Sequence, residues 1–159
     1  MIPWLHLVAI LHAPPLPMQH SGVYFQRPVV DFWADRLLLP RWYAMKLTQV
    51  ESSFRIRLET KAWVGKRHHQ HRIVLSHGLL QTNPRYEAEF AAAVGLAHFD
   101  WRQPDQSARV GLGRLAWLVR YFHGDLMLAA ASYNAGIRRI ESVRPLPDET
   151  MTYLRRIVG

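Results

Sequence analysis

Gln49-Val50-Glu51-Ser52-Ser53-Phe54 is the stretch on which the reading of the whole chain turns. Before it, Pro40 supplies a residue suited to the first turn of a helix, and Trp42, Met45, Leu47, Val50 and Phe54 follow at mostly three- and four-residue spacing, the mark of an amphipathic helix. After it the period changes: Phe54, Ile56 and Leu58 alternate with Arg55, Arg57 and Glu59, which predicts a strand. A second short apolar run, Ile73-Val74-Leu75, comes after the basic stretch Lys66-Arg67-His68-His69-Gln70-His71-Arg72, so the pair is expected to form a small hairpin with a solvated basic tip. Glu51 thus sits where a helix gives way to a strand.

Downstream of the hairpin the period is helical to the end. Asn83-Pro84 offers an N-cap followed by proline, leading into Tyr86, Phe90, Ala93 and Val94. A longer amphipathic stretch carries Val110, Leu112, Leu115, Trp117, Leu118, Val119 and Phe122 and stops at Gly124. Asp125 then caps a helix from Leu126 to Ala135 with Gly136 as its stop. Pro147-Asp148 opens a last one, with Met151, Leu154, Ile157 and Val158 on one face and Arg155 and Arg156 near the C-terminal end. Upstream, Ile2 to Ala13 is apolar but interrupted by His6 and His12, too short to span a bilayer, and not preceded by the Lys or Arg of a secretory signal. Residues 13–30, with three early prolines, Gly22 and Pro28, read as an irregular linker. The expected division is an arm or extension over 1–30 and one domain over 31–159.

Composition bounds what such a chain can do. With 159 residues, 49% apolar and 20% charged, it has the make-up of one globular domain. Twenty Lys+Arg stand against twelve Asp+Glu, a formal charge of +8, and 17 of the twenty are Arg, which predicts an anionic partner: nucleic acid, a membrane surface or an acidic polymer such as cell wall. The absence of Cys excludes a disulfide framework, Cys-ligated zinc and thiol catalysis. Among the few carboxylates, Glu51 stands out. The negative end of its helix and the apolar Val50 and Phe54 both disfavour the ionised form, and a Glu kept protonated near neutrality is what a general acid needs.

Three later segments keep Glu51-Ser52 company: Ser76-His77-Gly78-Leu79-Leu80-Gln81, Ser132-Tyr133-Asn134-Ala135-Gly136, and Pro147-Asp148-Glu149-Thr150-Met151-Thr152-Tyr153. In this order, over about residues 40–158, they resemble the soluble lytic transglycosylase (SLT) domain, a lysozyme-like family that cleaves peptidoglycan. The resemblance implies an α+β, predominantly α-helical lysozyme-like fold with a small β-hairpin. It also implies Glu51 as the catalytic acid/base. Ser76, Leu80 and Gln81 would line the floor of a sugar cleft and Tyr133 and Asn134 its wall, with Glu149 and Tyr153 at the acidic and aromatic positions of the late motif. The chain departs from the family pattern in three places. Leu80 stands for the usual Met, Asp148 intervenes between Pro147 and Glu149, and the stretch from Glu51 to Gly78 is longer, through the basic hairpin.

A single well-placed carboxyl group does not meet the two-carboxylate demand of standard glycosidases. It suits the substrate-assisted route that the resemblance implies, in which Glu51 protonates the β-1,4 glycosidic oxygen between N-acetylmuramic acid and N-acetylglucosamine. The same group then takes the C6 hydroxyl proton to close a 1,6-anhydro ring. Two other readings stand beside it: a goose-type-lysozyme-like hydrolase, and a catalytically silent structural or wall-binding component such as a phage virion protein. No cofactor or metal is expected, since His68-His69 and His71 lack the ligand spacing of a zinc site. No nucleic-acid module is visible, and the Arg pairs 138–139 and 155–156 sit at helix ends. Trp63, beside the basic tip, is a candidate sugar-stacking residue. The expected partner is peptidoglycan, met in the periplasm or cell wall. The N-terminal arm is read either as a poorly matching signal or as a docking segment for a larger assembly such as a phage particle, reached by a non-Sec route.

Overall fold

The computed structural model describes residues 23–64, 71–142 and 145–159. Helices α1 (Val23–Arg36) and α2 (Arg41–Ser52) precede strands β1 (Glu59–Val64) and β2 (His71–His77). A 3-10 turn (Pro84–Tyr86) leads into α3 (Glu87–Ala93), followed by α4 (Pro104–Tyr121), α5 (Leu126–Ala135), α6 (Ile137–Glu141) and α7 (Asp148–Val158). The expected class, α+β and predominantly helical with one small antiparallel hairpin, is the one adopted. The apolar segment Ile2 to Ala13 and most of the basic tip lie outside the described residues, as do the side chains of Trp63 and His71. Among the described residues no helix is long and apolar enough to cross a membrane.

Helix α1 corrects the expectation of an irregular linker running to residue 30. Gln26, Val29, Val30, Trp33, Ala34 and Leu37 are all buried, at i, i+3, i+4, i+7, i+8 and i+11. Pro28 lies inside this helix on its exposed side, where the missing N–H forfeits one main-chain bond. That loss costs about 3 kcal/mol, and burial of several large side chains at roughly 1.5–3 kcal/mol each exceeds it. Trp33 is further fixed by its Nε1–H, which donates to Asp105 Oδ1 of α4 at 2.8 Å.

Helix α2 buries a different stripe from the one expected. Tyr43, Ala44, Leu47, Thr48 and Ser52 face inward, while Trp42 is 55% exposed. The helix packs against both α1 and α7, and the broad contact this demands favours the paired 43/44 and 47/48 positions over the single-file stripe. Its end also differs from expectation. Instead of a strand from Phe54, residues 53–58 form turns, with Ser53 and Phe54 both at positive φ (52° and 62°), and the strand starts at Glu59. Phe54 is buried here, with the Arg27 guanidinium of α1 over its ring at 5.2 Å. The alternation of residues 54–58 therefore marks a folded-over connection that buries one ring, not a pleated segment.

The two strands pair antiparallel from Glu59↔His77 to Val64↔His71, with one irregularity: Thr60 faces Ser76, but Lys61 faces Val74. Leu75 is thus the extra residue of a β-bulge, a device that re-aims a side chain. The segment after β2, Gly78 to Gln81, presses onto α4. A Cβ at Gly111 would stand 2.2 Å from Leu80 Cβ, and one at Gly113 would stand 2.4 Å from a methyl of Val94. These two glycines let the turn and α3 approach the central helix closely.

Elsewhere the expected caps are in place, whereas α6, which follows directly on Gly136, and the start of α4 at Pro104 were not expected from the sequence. Asn83 Oδ1 accepts from the Arg85 N–H, Asp125 Oδ1 accepts from Met127 and Leu128 N–H, and Gly136 ends α5 at φ 84°. In α7 the inward face is Thr150, Tyr153 and Ile157. Met151 and Val158, expected on that face, are 43% and 62% exposed, because α7 docks edge-on between α2 and α5 and turns its Thr-Tyr-Ile edge toward them.

Candidate active site

Glu51 occupies the last turn of α2, and three other helices bring their side chains to it. From α7, Tyr153 donates its hydroxyl to Glu51 Oε1 at 2.6 Å, across 102 residues of sequence. From α4, Arg114 holds the last turn of α5 by donating to the Tyr133 carbonyl at 3.1 Å, with its guanidinium 4.4 Å from the centre of the Tyr133 ring. Burial pushes the Glu51 carboxyl up to about 7, against the opposing pull of the Tyr153 hydrogen bond and the positive charges of Arg114 and Arg156. Desolvation therefore wins, and the acid is substantially protonated at neutral pH. Tyr153 is raised well above its ordinary range by burial and by Glu51, so it remains a donor.

The floor of the site is organised by Gln81, which sits at φ 46°. Its amide nitrogen donates to the carbonyls of Leu58 and Gly78 at 3.1 and 3.0 Å. Its Oε1 accepts from Thr60 Oγ1 at 2.7 Å and Ser76 Oγ at 2.9 Å. One amide side chain thus ties both strands to the turn. Leu80 does not line the cleft as the resemblance implied. Its side chain is fully buried against Gly111, and it contributes its carbonyl, which accepts the Tyr133 hydroxyl at 2.8 Å.

The resulting cleft has a volume of about 340 Å³ and is bordered by Glu51, Ser76, Gln81, Tyr133 and Asn134, the residues the sequence singled out, and also by Leu75, Asn83, Tyr86 and Arg114. Glu149 borders an adjoining pocket with Asn134, Tyr153 and Arg156. Asn134 stands between the two, its Oδ1 accepting from Thr150 Oγ1 at 2.9 Å. Among the described residues Glu51 is the sole carboxylate bordering the main cleft, and no cluster of three or more His, Asp or Glu is arranged to hold a metal.

Arg114, Leu75, Asn83 and Tyr86 were not foreseen as site residues. Arg114 carried a signal, being a cation among apolar positions of a core helix. Leu75 carried none, because its exposure depends on a bulge that the alternation of residues 73–75 hides.

A shifted carboxyl group leaves a mark on stability. Between the ordinary value of 4.5 and about 7, the folded state holds the Glu51 proton and the unfolded chain does not. Stability contributed by this group is therefore complete below pH ~4.5 and falls as pH rises through ~7, by at most about 3 kcal/mol. Glu51→Gln removes the dependence. The variant is expected to melt higher than the parent at pH 8 and at the same temperature near pH 4.5. Parallel melting curves across that range would contradict the burial argument.

This fold, a helical α+β domain with a small hairpin and, among the described residues, a single carboxylate bordering its cleft, is of the lysozyme-like class. The chain belongs to the transglycosylase SLT domain family, whose profile matches residues 29–151. No curated protein matches the chain in sequence. Among solved structures it is similar to an inactive mutant of the lytic transglycosylase Slt from Pseudomonas aeruginosa, with a TM-score of 0.66 and 24% identity over 89% of this chain and 23% of that one. It is also similar to the 70 kDa soluble lytic transglycosylase of Escherichia coli (TM-score 0.57, 19% identity, 83% of this chain and 18% of that one). A third similar structure is a 70-kDa soluble lytic transglycosylase in complex with bulgecin A (TM-score 0.59, 18% identity, with the same shares covered). The chain spans about a fifth of the length of these proteins, so the likeness is one of fold to a single part of each.

Proposed function

We propose that the protein is a peptidoglycan lytic transglycosylase that cleaves the β-1,4 bond between N-acetylmuramic acid and N-acetylglucosamine and leaves 1,6-anhydro ends. The observation that carries this reading is a single carboxyl group, raised to about 7, in a cleft bordered by no second carboxylate among the described residues. Inversion by two carboxylates needs a base across the cleft, and retention needs a nucleophile there. Membership of the SLT family supports the same substrate, and action in the periplasm or cell wall follows from it.

In this mechanism protonated Glu51 gives its proton to the glycosidic oxygen as the C–O bond breaks. The N-acetyl oxygen of the muramic acid ring supports the oxocarbenium-like centre. The Glu51 carboxylate, held by the Tyr153 hydroxyl at 2.6 Å, then takes the proton of the C6 hydroxyl as that oxygen closes on C1. The acetamido group needs polar partners. The Tyr133 hydroxyl gives its proton to the Leu80 carbonyl and the Ser76 hydroxyl gives its own to Gln81 Oε1, so the Asn134 amide serves as donor and those hydroxyl oxygens as acceptors.

The reading is tested by digesting purified peptidoglycan and identifying the muropeptides by mass spectrometry. Anhydro ends are expected. Reducing ends would move the assignment to a goose-type-lysozyme-like hydrolase, and an absence of cleavage to a silent wall-binding component. The pH profile supplies a second check. Because Glu51 must start protonated, kcat/KM is expected to fall as pH rises through ~7. Tyr153→Phe deletes a hydrogen bond to the carboxylate, so that limb should move to higher pH while kcat drops several-fold. A limb that stays in place would detach Tyr153 from the titration.

A further inference from the structure

The cleft that Glu51 borders is also bordered, from the hairpin and the 3-10 turn, by Leu75, Asn83 and Tyr86. Two of these are large apolar side chains left in solvent, Leu75 at 40% and Tyr86 at 43% exposure. Single exposed apolar residues are ordinary, but these two border one cleft and come from elements packed against each other, β2 and the 3-10 turn. Each is also held by its backbone. Leu75 is the extra residue of the bulge between Thr60 and Lys61, and its neighbour Ser76 is bonded to Gln81. Tyr86 closes a turn that begins at Pro84, is capped by Asn83 Oδ1, and is pinned by the bond from Tyr86 N–H to the Asn83 carbonyl at 3.0 Å. The Arg85 guanidinium lies over the Tyr86 ring at 5.6 Å.

A partly exposed aromatic ring and an aliphatic side chain that border one cleft beside an amide suit a pyranose ring. The C–H face of such a sugar packs on an aromatic surface, while its hydroxyl and acetamido edges seek polar partners. We infer that Tyr86 and Leu75 form a clamp for an N-acetylhexosamine ring on the hairpin side of the cleft that Glu51 also borders. Asn83 offers the polar contact at its edge. The clamp rests on the reading of the cleft as a glycan site. It adds to that reading a means of holding the strand, through ring stacking from the 3-10 turn and an aliphatic contact from the bulge.

The test uses the Glu51→Gln protein, so that ligand is not consumed, and the β-1,4-linked hexamer of N-acetylglucosamine as probe, with affinity measured by calorimetry. In that background Tyr86→Ala is expected to weaken binding about tenfold, Tyr86→Phe to leave it within twofold, and Leu75→Ser to weaken it several-fold. Since both side chains are exposed, melting temperatures should match that of the Glu51→Gln parent. Equal affinity in the Tyr86→Ala and parent proteins would overturn the clamp and leave the glycan reading standing. A weakening that appears only with a lowered melting temperature would make Tyr86 structural and likewise overturn it. No hexamer binding by the Glu51→Gln parent would overturn both.

Discussion

Glu51→Gln is expected to lower the rate of peptidoglycan cleavage by at least about a hundredfold, and up to about ten-thousandfold, the range that general acid–base groups contribute. Gln preserves the shape of the side chain and its acceptor oxygen toward Tyr153, so the cleft should stay built and bind glycan. It cannot give a proton to the leaving oxygen or take one from a C6 hydroxyl. In a one-carboxyl mechanism the same substitution removes both steps, so anhydro product should form at no more than about a hundredth of the parent rate. A variant that retained a tenth of the parent rate would exclude Glu51 as the acid. The melting experiment strengthens the inference: a Gln protein that is inactive yet more stable than the parent at pH 8 has lost chemistry and not structure. Such an outcome is what a buried, function-bearing carboxyl group predicts, since its ionised form is paid for by the fold.

The second large effect lies far from the acid in sequence. Gly111→Ala would bring a Cβ to 2.2 Å from Leu80 Cβ and 2.4 Å from Leu80 Cγ, both close to the backbone of the turn and unable to swing away. The turn carrying Gln81 must therefore move, although alanine is the better helix former by roughly 1 kcal/mol. Overpacking is expected to prevail, with a net loss of about 1–3 kcal/mol and a fall in activity as Gln81 leaves its bonds to Ser76 and Thr60. Leu80→Ala alone should cost about 2–5 kcal/mol by leaving a cavity. Gly111→Ala combined with Leu80→Gly should be less harmful than the sum of those two single changes, because Leu80→Gly removes both the Cβ and the Cγ that the new methyl meets. Strict additivity in denaturant unfolding would show that the contact does not govern the turn.

Much of the helical framework was legible in sequence because its signals are local. Asp125 before Leu126 and Gly136 after Ala135 bound α5, since a carboxylate accepting two N–H groups and a positive φ are properties of single residues. Asn83-Pro84 marked the next turn in the same way. Helix α1 was legible too, in the spacing of Val29, Val30, Trp33, Ala34 and Leu37, but Pro28 masked it. A proline on the exposed side of a helix costs one bond, and the sequence does not say what the buried side contributes. The alternation of residues 54–58 misled for a related reason. Period two reports that side chains point in opposite directions, which successive tight turns also achieve.

The sequence by itself determined the chemistry available to this protein. It carries a glutamate at a helix end, no thiol, an excess of arginine, and four motifs in an order that matches the SLT family. It also pointed to the acid's protonation, because helix ends and apolar neighbours act over a few residues. Only the tertiary structure decided which groups would meet that acid. Tyr153 reaches it from 102 residues away, Arg114 from a core helix, and Leu75 enters the cleft through a bulge. It also turned Leu80 into the core and left only its carbonyl for the site. The physical reason is one of range. Caps, turns and periods are set by neighbours along the chain, whereas desolvation, close approach at a glycine and the aim of a side chain depend on what other segments leave room for.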